Sequence, residues 1–95
     1  MPPFTTAYSI NHTIIIPTDY RGKKELGSIE IYTPKEFEEW NITAPDEIVN
    51  YFKNNDTNIL VIKGYGIYSF NRDIFDMIKK ISILEKSVKL LMLEN

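Results

Sequence analysis

Few side chains of this sequence could carry chemistry. The chain has a single histidine, His12, and no cysteine, which excludes thiolate metal sites, disulfides and thiol catalysis. Tyr65 stands between Gly64 and Gly66, which allow a sharp bend or the close approach of another group. A lone imidazole and a phenol are a sparse set, and a histidine on a half-buried strand is most often a hydrogen-bonded structural residue.

A basic group is the other set of side chains that could bind a ligand. Arg21, Lys23 and Lys24 lie in a polar stretch where they could hold a phosphate, although a solvated loop over residues 18–27 is the simpler interpretation. The whole chain has a formal net charge of -2, with both signs interspersed. It therefore lacks the basic surface that binds nucleic acid or anionic membranes, and we expect neither partner.

The elements that position these side chains follow from hydrophobic spacing. The 95 residues make one small domain, and no linker divides them. Alternating apolar residues near 8–16 predict a first strand that carries His12, after a loose arm over residues 1–6. The remaining predicted strands lie near residues 28–32, 58–63 and 66–70, and the predicted helices near 34–40, 45–54 and 72–93.

The C-terminal third carries the strongest pattern. Residues 59–62 form a short β-branched and aliphatic run, typical of a buried strand, and a second strand follows Gly66. Asn71 is a good helix N-cap, and Asp73 places a negative charge in the first turn, where it meets the helix dipole. Apolar residues then recur every three or four positions as far as Leu91. The unit is therefore strand, glycine-flanked bend, strand and long helix.

This unit resembles the C-terminal part of class II aldolase/adducin domains. The family pattern is an apolar strand, His-Gly, a short strand, Gly-x-Asp/Ser and a helix with Leu-Glu, which matches Leu84-Glu85 here. The family includes sugar-phosphate aldolases, pentulose-phosphate epimerases and methylthioribulose-phosphate dehydratases, and its histidine is a metal ligand. Tyr65 occupies the matching position. A second family motif, His-x-His on a strand, places His12 and Ile14 at the other two ligand positions.

The resemblance implies zinc or another divalent metal ion held by three imidazoles. The candidate positions His12, Ile14 and Tyr65 supply one imidazole, so we expect no metal cofactor and no catalytic residue unless a partner adds ligands to His12. Family enzymes also carry a phosphate-binding segment and an acid/base carboxylate upstream of His-x-His, for which this chain has no room. The resemblance thus implies a single truncated domain over residues 1–95.

The expected fold is α+β: a small, mainly antiparallel sheet with helices on one face and a long C-terminal helix, resembling a truncated form of the three-layer family fold. The expected function is non-catalytic, that of a small binding or assembly protein like the adducin head domains, which keep the architecture without enzyme activity. Two alternatives stay open. A second polypeptide could complete an aldolase-type lyase or epimerase site for a sugar phosphate, or the chain could bind a small molecule around Tyr65 and His12.

The last predicted helix indicates self-association. Ile81, Leu84, Val88 and Leu91 make one apolar stripe, and further apolar residues widen it almost all round the helix. Such a helix should be buried on two sides, whereas a domain this small offers it one sheet face. We therefore expect a homo-oligomer that assembles through this helix. The sequence shows no signal peptide and no membrane span, so a cytoplasmic location is the expectation.

Overall fold

The computed structural model describes residues 2–34, 40–55, 57–69 and 73–94. They form four helices and four strands within these ranges: α1 (Pro3–Ile10), β1 (Ile14–Ile15), α2 (Tyr20–Glu25), β2 (Ile29–Tyr32), α3 (Trp40–Asn54), β3 (Ile59–Ile62), β4 (Gly66–Ser69) and α4 (Ile74–Glu94). No helix in this part of the chain is long and apolar enough to cross a membrane.

The four strands form one sheet in the order β1-β2-β3-β4. The outer pairs, β1 with β2 and β3 with β4, are antiparallel, and the central pair β2 with β3 is parallel. A parallel pair needs a long crossover, and α3 lies within that connection. The expected α+β fold, with a mainly antiparallel sheet and a long C-terminal helix, is confirmed.

The C-terminal unit agrees closely with its sequence pattern. Strands predicted near 58–63 and 66–70 appear as β3 and β4, and the helix predicted near 72–93 appears as α4. The bend between the strands contains Gly64 at φ 76°, a left-handed conformation that glycine adopts without steric cost. Tyr65 donates its backbone N–H to the Ile62 carbonyl at 2.9 Å, which closes the turn. Local pattern and turn chemistry therefore determine this unit.

The predicted strand near 8–16 and the loose arm before it are wrong. Residues 3–10 form helix α1, and only Ile14 and Ile15 pair as strand β1. Pro3 does not prevent the helix, because the first helical turn needs no N–H from proline. Thr5 and Ser9, one helical turn apart, are both fully buried, which gives the helix an inward face that alternation did not reveal.

Two further elements differ from the sequence prediction. The stretch predicted as a loop over residues 18–27 contains α2, which begins after Asp19 because that carboxylate accepts the Gly22 N–H at 3.0 Å. Helix α3 starts at Trp40 and runs through Pro45, earlier than the predicted 45–54. The helix predicted near 34–40 falls almost wholly outside the described residues.

Helices cover both faces of the sheet, which corrects the expectation of helices on one face. All four residues of β3 are buried. Ile59 and Val61 pack in a first core, to which α1 and α4 contribute, whereas Leu60 and Ile62 pack in a second core with α3. A strand that is buried on both faces needs a packing partner on each face. The continuous apolar run of β3 therefore indicates a three-layer arrangement.

A carboxylate from the last helix holds the first helix. Glu85 of α4 accepts the backbone N–H groups of Phe4 and Thr5 at 2.9 and 2.8 Å, and the Thr5 hydroxyl at 2.8 Å. Helix α1 has no N-capping side chain of its own and no acidic residue in its first turn. Glu85 therefore supplies both the missing hydrogen-bond acceptor and the negative charge that favours a helix N-terminus.

The other side of α1 is attached to the turn between β3 and β4. The backbone N–H of Gly64 donates to Ser9 Oγ at 2.8 Å, and Ser9 Oγ donates to the Thr6 carbonyl at 2.7 Å. Ser9 is fully buried, so its hydroxyl needs these partners. Helix α1 is thus joined by polar contacts to α4 at its start and to the sheet near its end.

We predict that Glu85→Ala destabilises the fold by about 2 kcal/mol, because it removes a charged cap and leaves N–H groups and the Thr5 hydroxyl without their acceptor. Urea unfolding measures the change. Glu94→Ala is the matched control: it removes a carboxylate from the same helix whose hydrogen bond to Thr18 is exposed, and its expected cost is about 0.5 kcal/mol or less. Equal costs for the two variants would contradict the capping role.

Candidate functional site

His12 lies in the turn that follows α1, not on a strand. Its side chain is exposed, and its ring stacks on Tyr8 with centroids 3.6 Å apart and planes within 4°. Nδ1 lies 2.8 Å from the Tyr8 carbonyl. The His-x-His register assumed for His12 rested on a strand near 8–16, so helix α1 removes that support.

The other two candidate positions, Ile14 and Tyr65, lie in different parts of the fold. Ile14 is in β1, opposite Glu30, and its side chain is 43% exposed. Tyr65 is half-buried and packs against the second core around Leu60 and Ile62, on the α3 side of the sheet. His12 stacks on Tyr8, which packs against the first core on the opposite side. The His12 ring is therefore exposed beside a residue of the first core, whereas the Tyr65 ring packs against the second core.

The side chains present do not fit a catalytic metal ion. Zinc and similar ions need at least three protein ligands that converge on one point. Within the described ranges, no group of three His, Cys, Asp or Glu side chains could hold a metal ion. Among the positions implied by the family resemblance, His12 and Tyr65 add one exposed imidazole and one phenol that packs against the second core, a set that does not fit three-ligand coordination.

The turn beside His12 nevertheless links these positions through the backbone. Lys63 Nζ donates to the His12 carbonyl at 3.4 Å, and the next residue, Gly64, bonds to Ser9. The end of α1 therefore meets the end of β3. These contacts join backbone groups, the Lys63 ammonium and the Ser9 hydroxyl, and they fix the geometry of the junction.

The basic residues are divided differently from the sequence expectation. Lys23 and Lys24 are exposed on α2, with Lys24 Nζ 5.8 Å from the centre of the Tyr20 ring. Arg21 instead lines a cleft of about 380 Å³ between α2 and α4, together with Lys79 and Lys86. The sequence alone did not indicate Lys79 and Lys86 as partners of Arg21. The helical spacing of α4 and the packing of α2 bring them together.

Asp19 and Ser87 meet where α2 packs on α4. The pKa of the Asp19 carboxyl is lowered, mainly by the Ser87 hydroxyl. Burial acts in the opposite direction and raises this pKa, and the Gly22 N–H lowers it further. Asp19 Oδ1 and Ser87 Oγ approach closely without reaching full hydrogen-bond geometry. A side chain on Gly22 would collide with both atoms, so glycine is needed for this close approach.

Tyr32 and Glu47 form a polar pair beside the second core. The Tyr32 hydroxyl donates to Glu47 Oε1 at 2.8 Å, across the 220 Å³ cleft between β2 and α3. Burial and then this bond to Glu47 raise the pKa of the Tyr32 phenol to about 12. The pair joins β2 to α3 through a hydrogen bond beside the second core, so we assign it a structural role.

The raised pKa of Tyr32 predicts that the stability of the fold depends on pH. The folded pKa of this residue, about 12, exceeds its ordinary value of 10.0, so its stabilising effect is complete below the ordinary value and is lost as pH rises towards the folded value. We expect the free energy of unfolding to fall between these two values in the wild type and to fall less in Tyr32→Phe. Burial also raises the pKa of the Tyr51 phenol, with a smaller contribution from the charge of Glu30. Absorbance titration should therefore show late phenols whose number falls by one in Tyr32→Phe. An unchanged number of late phenols in Tyr32→Phe would contradict the assignment.

Comparison with known proteins supplies the family. The sequence model of the class II aldolase and adducin N-terminal domain matches residues 1–92. No curated protein matches the chain. The crystal structure of l-fuculose-1-phosphate aldolase from Thermus thermophilus has a similar fold, with a TM-score of 0.79 and 18% sequence identity.

The structural match covers 98% of this chain and 49% of the aldolase chain, so this chain spans about half the length of that relative. At this identity the likeness shows the fold, whereas the family model covers nearly every residue. The chain therefore belongs to the class II aldolase and adducin N-terminal domain family.

Proposed function

We propose that this chain is a non-catalytic binding or assembly domain built on the class II aldolase fold. The observation that carries the proposal is the use of the candidate metal-site positions for packing. His12 stacks on Tyr8, and Tyr65 fills part of the second core. Bringing Tyr65 to the same ion or substrate as the exposed His12 would require the Tyr65 ring to leave the second core, which disrupts close packing.

The assembly part of the proposal rests on α4. Its first two turns expose Ile74, Phe75 and Ile78, whose side chains are 57%, 81% and 52% exposed. Leu84 and Val88 of the same helix are fully buried in the first core. The helix therefore has a second apolar surface that the domain does not cover, and neighbouring exposed apolar side chains are typical of interaction sites.

We propose that a second copy of the chain covers the surface formed by Ile74, Phe75 and Ile78. A two-fold axis would place this surface against itself, which is the commonest arrangement of homodimers. Phe75 is the natural anchor, because large aromatic side chains dominate interface energies.

The second candidate function is an aldolase-type subunit whose site is completed by another polypeptide. It is favoured by the length comparison, since the chain accounts for 49% of the aldolase with the similar fold. In that arrangement His12, which is exposed, would be the residue able to join ligands from outside. Metal content separates the two candidates.

We expect protein purified without chelator to contain no stoichiometric zinc or manganese, because the described side chains offer no three-ligand group. Plasma mass spectrometry measures the metal content. His12→Ala should leave it unchanged, as should the neighbouring control Asn11→Ala. Stoichiometric metal that is lost in His12→Ala and kept in Asn11→Ala would favour the subunit alternative.

We also expect the chain to sediment as a dimer or larger species at micromolar concentration, and Phe75→Asp to shift it towards monomer, because a buried charge at the anchor is costly. Val49→Asp on α3 is the control, since Val49 is 52% exposed and lies on the other side of the sheet. A monomeric wild type, or equal effects of both variants, would contradict assembly through α4.

A further inference from the structure

We propose that the cleft between α2 and α4 binds a small organic anion, a carboxylate or phosphate carried on a compact apolar group. The cleft uses none of the positions His12, Ile14 and Tyr65, and the proposal does not depend on the assembly surface. Its lining residues are Asp19, Tyr20, Arg21, Lys79, Ser82, Ile83, Lys86 and Leu90.

The size of the cleft suits a small molecule. Its volume of about 380 Å³ falls in the range of small-ligand sites. One wall is the short helix α2 and the other is the middle of α4, where Lys79, Ser82 and Lys86 recur at three- and four-residue spacing on one flank. Three polar groups of one rigid helix therefore point towards the same space.

The charge of the lining differs from that of the chain. Three cations, Arg21, Lys79 and Lys86, surround the cleft with one carboxylate, Asp19, whereas the whole chain has a net charge of -2. Lys79 also contacts Glu25 at 3.8 Å, an exposed pair that contributes little. Positive charge concentrated at a concave surface attracts anions and aligns them.

The Asp19 carboxylate keeps its negative charge, but it offsets only one of the three cations, and its oxygens face protein groups. One oxygen caps α2 through the Gly22 N–H, and the other lies against Ser87. The guanidinium of Arg21, with its fork of donors, is well suited to a carboxylate or phosphate. The hydroxyls of Tyr20 and Ser82 can add neutral hydrogen bonds.

Apolar contacts explain why the ligand should carry an apolar group. Ile83 is 6% exposed and Leu90 is 38% exposed, so one side of the cleft is aliphatic. The Tyr20 side chain, 74% exposed, stands at the opposite wall and offers a ring face. A bare inorganic anion would leave these surfaces wet, whereas a compact organic anion can contact them while its charged end reaches the cations.

The close packing of α2 on α4 keeps the cleft open without a ligand. Gly22 lets α2 approach α4 at Ser87, and the Asp19 cap fixes the start of α2. The backbone N–H groups of Leu26 and Gly27 donate to the Gly22 carbonyl at 3.0 and 3.2 Å, which closes the end of the helix. A preformed cleft requires little ordering upon binding, which favours affinity.

The test is titration of the full ¹⁵N-labelled chain with benzoate, phenyl phosphate and neutral benzamide. We expect saturable shifts of the Arg21, Ser82 and Lys86 amides with at least one of the two anions and weaker binding as salt is added, because exposed charges are screened. The anion that binds more tightly identifies the charged group. Benzamide should bind at least about fivefold more weakly, since it lacks the charge.

Variants locate the site. Arg21→Gln and Lys86→Gln should each weaken binding about fivefold or more, whereas Lys23→Gln, the same change on the outer side of α2, should alter it less than about twofold. Ser82→Leu fills the cleft while keeping every charge and should abolish binding. The absence of saturable shifts with both anions, benzamide binding as tight as the anions, equal losses in Arg21→Gln and Lys23→Gln, or unchanged binding in Ser82→Leu would each overturn the proposal.

Discussion

The capping of α1 by Glu85 is the contact on which the arrangement of this domain depends. The carboxylate and the helix that it caps are 80 positions apart in the chain, and they join the two ends of the sequence. An isolated helix of eight residues is unstable in water, because nucleation is costly and few hydrogen bonds follow. Helix α1 therefore exists because α4 supplies its cap and because the sheet accepts its buried face.

The same dependence extends to the turn after β3. Ser9 of α1 accepts the Gly64 N–H, so the position of the helix is coupled to the glycine bend as well as to α4. The four apolar residues of β3 precede this bend in the chain, and their side chains are buried on both faces of the sheet. The three-layer architecture thus follows from a central strand whose two faces are both apolar. Helices α1 and α4 pack against one face, and α3 packs against the other.

This packing bears directly on function. In the family resemblance, His12, Ile14 and Tyr65 stand at metal-ligand positions, but here the His12 ring is exposed on Tyr8 and the Tyr65 ring packs against the second core. Two surfaces of α4 remain exposed: an apolar one at its first two turns and a cleft with three cations along its middle. These surfaces and the packing of Tyr65 are the observations behind the proposed binding or assembly role.

The C-terminal unit was predictable from the sequence, because its information is local. The buried run of β3, the positive-φ glycine at position 64 and the three- and four-residue spacing of α4 each determine their own conformation. The family could be inferred from the same residues. Long-range contacts determined the rest. The sequence predicts a loose arm over residues 1–6 and a strand near 8–16, yet residues 3–10 are helical because Glu85 caps them. Arg21 meets Lys79 and Lys86 because Gly22 lets α2 pack on α4.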